Sequence, residues 1–262
     1  MTVDDLLDEM QELIDAGDHL EVINRLRQAQ SEGILSAELE AFLGGALEEA
    51  GDLNAAVLAY RKAIDLDPED IDSHYSLADI LFEQEHIDEA MTLYEKITKT
   101  FPDQAEAEIS MGLVYFSLDQ IAEAIHSYRR GLKIDPESLF GLNALGDALF
   151  ARGDMDQALA TFKQVIALEP EDAQAYFNLA EIYYDIGDLE TAKTYCQDAI
   201  KRDPGFSYAY LTLGNIYLDN DDIREALQAF QEFLSLETSP AAEDIRFEVA
   251  AVVDGLKLEL GI

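Results

Sequence analysis

Apolar side chains return along this chain at intervals of three and four residues, in short runs separated by polar turns. Spacing of that kind places side chains on one face of a helix, so the pattern predicts a succession of amphipathic helices and no strands. A longer period lies over the short one. Pro68, Pro102, Pro136, Pro170 and Pro204 are each 34 residues apart, and Pro240 follows 36 residues after Pro204. A fixed period of this length is the mark of a stack of supersecondary units, so the chain is best read unit against unit.

Aligned on the prolines, 37–240 divides into six units, 37–70, 71–104, 105–138, 139–172, 173–206 and 207–240. The eighth place of each is small: Gly44, Ala78, Gly112, Gly146, Ala180 and Gly214. A large apolar residue precedes it, as in Leu43, Leu77 and Met111, and another follows three residues later, as in Leu47, Tyr115 and Tyr183. In the second half of each unit comes an alanine, Ala56, Ala90, Ala124, Ala158, Ala192 or Ala226. Four residues on stands Tyr60, Tyr94, Tyr128, Phe162, Cys196 or Phe230. Each unit therefore predicts two helices, and the small residue marks where their backbones approach. Gly51-Asp52, Gly153-Asp154 and Gly187-Asp188 read as the turn between them, a helix-ending glycine followed by a capping aspartate. The proline ends the second helix and, by its fixed φ, can also start the next one. Acidic residues after it, such as Glu69, Asp70, Glu137, Glu171 and Asp172, suit the positive end of the following helix.

On these residues the chain resembles the tetratricopeptide repeat family, whose 34-residue pattern of Leu-Gly, aromatic, Ala, aromatic and Pro is met in all six units from Ala37 to Pro240. The match fails at the family's usual tryptophan, where Glu40, His74, Glu108, Leu142, Tyr176 and Tyr210 stand. The resemblance implies an all-α fold, a right-handed superhelical solenoid of antiparallel helix pairs. Residues 1–36 keep Gly17-Asp18, Leu13 and Leu26 but lack the small residue, the alanine and the proline, and are expected to form a degenerate capping repeat. In 241–262, Ile245, Val249, Val252, Val253, Leu256 and Leu260 trace one stripe of a single helix. A cap over the last repeat is the expectation there, with a dimerisation helix as the alternative.

Composition narrows the function. The chain carries 55 Asp and Glu against 17 Lys and Arg, a formal charge of -38, which argues against nucleic acid and anionic membranes as partners. No apolar run approaches the roughly 18 residues of a membrane helix. The opening residues are acidic where a secretion signal would be basic and then apolar, so the cytoplasm is the expected location. Cys196 cannot form an internal disulfide, being the sole cysteine, and its place among core aromatics predicts a buried thiol. There is no phosphate-binding glycine loop, no Gly-x-Ser-x-Gly and no paired-histidine helix. Asp65, Asp67 and Glu69 lack the glycine and the closing glutamate of a calcium loop. The expectation is a non-enzymatic chain with no cofactor and no metal.

Function is then expected on a surface. The resemblance implies that the first helix of each pair lines a concave groove through places two, five, nine, twelve and thirteen. Spacing agrees, because five, nine, twelve and thirteen share a helical face distinct from the core places seven, eight and eleven. Place twelve carries Phe82, Phe116, Phe150 and Tyr184, with Tyr75, Phe140, Phe177 and Tyr208 at neighbouring groove places. Around them lie Asp72, Asp79, Glu83, Glu106, Asp147, Glu181, Asp185 and Asp219, and the amides of Asn143, Gln174 and Asn215. No Lys or Arg occupies any of these places, so recognition of a partner's terminal carboxylate, a known mode of the family, is not expected. An acidic trough with aromatic residues favours a protein or peptide segment bearing Lys or Arg together with apolar side chains. Arg61, Lys62, Lys96, Lys99, Arg129, Arg130, Lys133, Lys163, Lys201 and Arg202 collect late in the second helices, where a structural role at the negative helix end is expected. Two other readings stand beside this one: the rings are packing and the acidity serves solubility, or the protein is a self-assembling scaffold using its terminal helix or acid-to-basic contacts. A monomer is favoured over a homo-oligomer.

Overall fold

The computed structural model describes residues 2–262. It is all-helical among them: α1 (Val3–Asp15), α2 (His19–Ser31), α3 (Ala37–Glu49), α4 (Leu53–Leu66), α5 (Ile71–Glu83), α6 (Ile87–Thr100), α7 (Ala105–Ser117), α8 (Ile121–Ile134), α9 (Leu139–Arg152), α10 (Met155–Leu168), α11 (Ala173–Asp185), α12 (Leu189–Arg202), α13 (Ser207–Asp219), α14 (Ile223–Leu236) and α15 (Glu243–Leu260), the last preceded by a short 3-10 turn, Pro240–Ala242. No helix among the described residues is long and apolar enough to cross a membrane. The helices fall into two compact units, one reaching to Pro136 and the other running from Glu137 to Ile262. Within each unit, an odd-numbered helix packs on the even-numbered helix after it and on the one before it.

Local chemistry sets the ends of the helices. Ser36, Asp52, Asp70 and Asp188 stand before α3, α4, α5 and α12, and each accepts a hydrogen bond from a first-turn amide at 3.1–3.3 Å. Between the helices of a pair the chain needs one left-handed residue. Gly17, Gly51, Gly153 and Gly187 supply it at φ 75°, 78°, 86° and 81°. In the other three turns the same conformation is forced on Glu85, Asp119 and Asp221, at φ 61°, 59° and 61°. The turn closes alike in both cases: His86 N donates to Leu81 O at 2.7 Å, as Asp52 N does to Leu47 O at 2.9 Å.

The prolines behave differently from one of the two roles expected of them. Pro68 lies just past the end of α4 and two residues before the cap Asp70, so it stops a helix without starting one. Only Pro240 occupies a first helical position, in the 3-10 turn before α15. One residue, Glu69, separates the proline from the next cap, which keeps the ring out of the following helix.

The core lies between the helices of each pair. Ala56, Ala90, Ala124, Ala158, Ala192 and Ala226 are all fully buried. A Cβ built on Gly146 would sit 2.5 Å from the Phe162 ring, and one on Gly112 2.5 Å from the Tyr128 ring. The small place exists because an aromatic ring from the second helix lies flat against that backbone. In α11 and α12 the exchange is reversed: Ala180 regains its methyl and Cys196 takes the ring's place, fully buried, its thiol pushed up to about 12 by burial.

Candidate functional site: the acidic and aromatic face of the first helices

Each first helix has two working sides. One packs on its neighbours; the other carries the places named above. In the first unit, α5 presents Asp79 and Glu83 to solvent on either side of the partly buried Phe82, and α7 presents Glu106 near the partly buried Phe116. Asp72 is exposed at the start of α5. Tyr75 is partly buried, its hydroxyl accepting from Ala107 N at 3.0 Å, and its phenol is pushed up to about 12 by burial and by Glu106. Asp79 accepts a hydrogen bond from the buried Tyr94 hydroxyl, and loss of hydration still holds its carboxyl above the usual range.

The second unit repeats the arrangement. Asp147 on α9 and Glu181 on α11 stand at the same place as Asp79, one turn before Phe150 and Tyr184. Neither has a hydrogen bond or an ion pair among the described residues. Asp147 is exposed, yet loss of hydration to the surrounding protein pushes its carboxyl up to about 6. Glu181 is raised by burial and then by the charge of Asp185, itself exposed. Tyr184 donates to Asp219 at 2.8 Å, tying α11 to α13, and its phenol is pushed up to about 12 by burial and by that carboxylate.

The remaining residues divide. Phe140 is 57% exposed and Tyr208 40%, the latter set edge-on to Phe233 with ring centres 6.0 Å apart. Gln174 is exposed and donates to Asn178 at 2.7 Å. Asn143 and Asn215 are partly buried, and the Asn143 carbonyl oxygen is buried without a partner. Phe177 departs from expectation. Only 7% exposed, it packs on Phe206 with ring centres 5.0 Å apart, so it belongs to the core between α11 and the turn before α13. Its neighbour Tyr176 is buried as well.

The sequence pattern missed the opposite side of these helices. At three of the six places where the family's tryptophan is absent, the residue meets a cation. Buried Glu40 accepts from Lys62 at 2.5 Å and from Gln30 at 2.9 Å; Glu108 meets Arg130 at 2.6 Å; the Arg202 guanidinium lies 3.5 Å from the centre of the Tyr176 ring and also donates to Pro170 O at 2.7 Å. Cations of the second helices are thus consumed by first-helix partners and not only by helix ends. The signal was available: Glu40 and Glu108 are each followed 22 residues later by a cation.

Comparison with known proteins places this arrangement. Family models described as tetratricopeptide repeat match residues 7–71 and 143–205, 47–114, and 195–228. A model described as anaphase-promoting complex, cyclosome, subunit 3 matches residues 83–165. No curated protein gives a significant match in sequence. Among solved structures, a tetratricopeptide repeat protein from Parabacteroides merdae is 19% identical over 95% of this chain and 98% of its own, with a TM-score of 0.71. MamA is 26% identical over 61% of this chain and 93% of its own, TM-score 0.57. YrrB, described as a tetratricopeptide repeat protein with an unusual peptide-binding site, is 20% identical over 74% of this chain and 99% of its own, TM-score 0.58.

Proposed function

Because this chain belongs to the tetratricopeptide repeat family, and because places two, five, nine, twelve and thirteen of its repeats hold carboxylates and rings but no cation, we propose that it is a non-enzymatic scaffold that binds a Lys- or Arg-bearing, partly apolar segment of a partner protein. One observation carries the reading. Asp147 and Glu181 sit partly desolvated beside Phe150 and Tyr184 with nothing to neutralise them. A carboxylate short of water and of a counter-charge gains most from an incoming ammonium or guanidinium, and an adjacent ring face adds cation–π attraction. Asp79 with Phe82 repeats the pairing in the first unit. Elsewhere, buried or half-buried carboxylates such as Glu40 and Glu108 already have cations from their own chain. Family membership supplies the class of function, and the unpaired carboxylates supply the partner's charge.

The test is fluorescence anisotropy with a labelled peptide of alternating Lys and Leu, at low and moderate salt. The wild type is expected to bind, to weaken as salt rises, and to lose about tenfold in affinity, about 1.4 kcal/mol, in the Asp147→Asn, Glu181→Gln double variant. Equal affinity in the two proteins would overturn the proposal.

A further inference from the structure

The last helix has two apolar faces, and stacking uses one. α15 begins at Glu243, 36 residues after the start of α13, so Ile245, Val249 and Val253 fall at places three, seven and eleven of a further first helix. Together with Leu256 and Leu260 they pack on α14 and cover the end of the second unit's core. At about 100° per residue, a second line runs along nearly the opposite side of the helix: Phe247, Ala251 and Leu258, with Gly255 at its edge and the exposed Asp244 at its N-terminal end, while Ile262 follows the left-handed Gly261 that ends the helix. Phe247 is 78% exposed, Leu258 82% and Ile262 78%. A side chain built on Gly255 would touch nothing within 4 Å. On α9 and α11 the corresponding places five and nine hold Asn143, Asp147, Phe177 and Glu181; on α15 they hold Phe247 and Ala251. A helix that merely capped the stack would turn a charged face to water here.

The edges of the line say what fits it. Asp254 and Glu243 border one side, where Lys257 lies 3.9 Å from Asp254, and Glu248 and Glu259 border the other; the four carboxylates are exposed. A second copy brought face to face would set these carboxylates against their like in a chain already at -38. An apolar spine between two acidic borders is complementary to an apolar spine between two basic ones. We infer that the outer face of α15 is a docking site for a basic amphipathic helix of another protein, its apolar line on Phe247, Ala251 and Leu258 and its Lys or Arg side chains over the flanking carboxylates. From Phe247 to Leu258 the line spans about 16 Å, which sets the bound helix at three turns or more. This site does not depend on the carboxylates of α9 and α11.

The probe is an 18-residue amidated peptide of Leu, Ala and Lys with Leu at helical spacing and Lys on both flanks, and a control with Glu in place of Lys. Phe247 and Leu258 point away from α14, so Phe247→Ser with Leu258→Ser is expected to keep the wild-type circular dichroism and melting temperature. Wild type is expected to bind the Lys peptide at least tenfold more tightly than this double variant, and Asp147→Asn, Glu181→Gln is expected to bind it within twofold of wild type. The Glu peptide is expected not to bind. The inference is overturned if Phe247→Ser, Leu258→Ser binds as tightly as wild type, if the Glu peptide binds equally well, or if sedimentation shows a wild-type dimer that the double variant dissolves, which would give this face to a second copy. If the loss falls on the Asp147, Glu181 variant alone, the peptide is in the first-helix face, and the α15 site is rejected while the other reading stands.

Discussion

The two sides of the first helices treat charge in opposite ways. On the pairing side, Glu40 is 2% exposed and is matched to Lys62 and Gln30, and Glu108 to Arg130. On the open side, Asp147 and Glu181 have lost water without gaining a partner, and Asp79 has only a tyrosine hydroxyl. Both sides lie on the same few turns of helix, so composition alone does not separate them. What separates them is whether the next helix brings a cation. Charge on the pairing side is part of folding, and charge on the open side is what the proposed partner would meet.

That contrast can be broken at its strongest point first. Phe162 is 1% exposed and fills the space over Gly146, whereas Phe150, one turn from Gly146 on the same helix, is partly open. Phe162→Ala is expected to cost about 3–5 kcal/mol in urea denaturation, and Phe150→Ala no more than about 1 kcal/mol. Near-equal losses would mean that the open side is core. Next in size, Glu40→Ala strands Lys62 and Gln30 and is expected to cost about 2 kcal/mol, while Asp147→Asn, which removes a desolvated and unpaired charge, should leave stability unchanged or raise it at neutral pH.

The pH dependence sharpens the comparison further. Loss of hydration in the folded state pushes the Asp147 carboxyl up to about 6, above the 3.8 of an ordinary aspartate. Between those values the folded state binds more protons, so this group favours folding at low pH and its contribution is lost as pH rises towards 6. The stability of wild type relative to Asp147→Asn should therefore fall between pH 4 and pH 6.5, as measured by paired denaturation curves; a rise would contradict the desolvation of this carboxylate. The smallest effect lies on neither side. Glu85→Gly, Asp119→Gly and Asp221→Gly each relieve a left-handed residue and should each raise stability by up to about 1 kcal/mol, giving a baseline for changes that touch no charged face.

Much of this was legible in the chain because a stack repeats its constraints. The small residue of Gly146 and the ring of Phe162 recur together, and six copies turn a weak local signal into a strong one. Place twelve was legible for the same reason, since Phe82, Phe116, Phe150 and Tyr184 share one offset. Phe177 was not, because the same place can face solvent or the next turn depending on its neighbour, and Phe206 drew it inward. The turns at Glu85, Asp119 and Asp221 hid a left-handed conformation behind residues that rarely adopt it. The pairing of Glu40 with Lys62 was obscured by seeking a tryptophan where an ion pair does the packing.

The central claim, that open-side carboxylates await a cation and pairing-side ones already have theirs, is tested most directly by carboxyl-carbon NMR titration of Asp147, Glu181, Glu40 and Glu108, with and without the Lys-Leu peptide. The account predicts that saturating peptide lowers the midpoints of Asp147 and Glu181 and leaves those of Glu40 and Glu108 where they were. Unmoved midpoints at Asp147 and Glu181 under saturating peptide, or movement confined to Glu40 and Glu108, would contradict it.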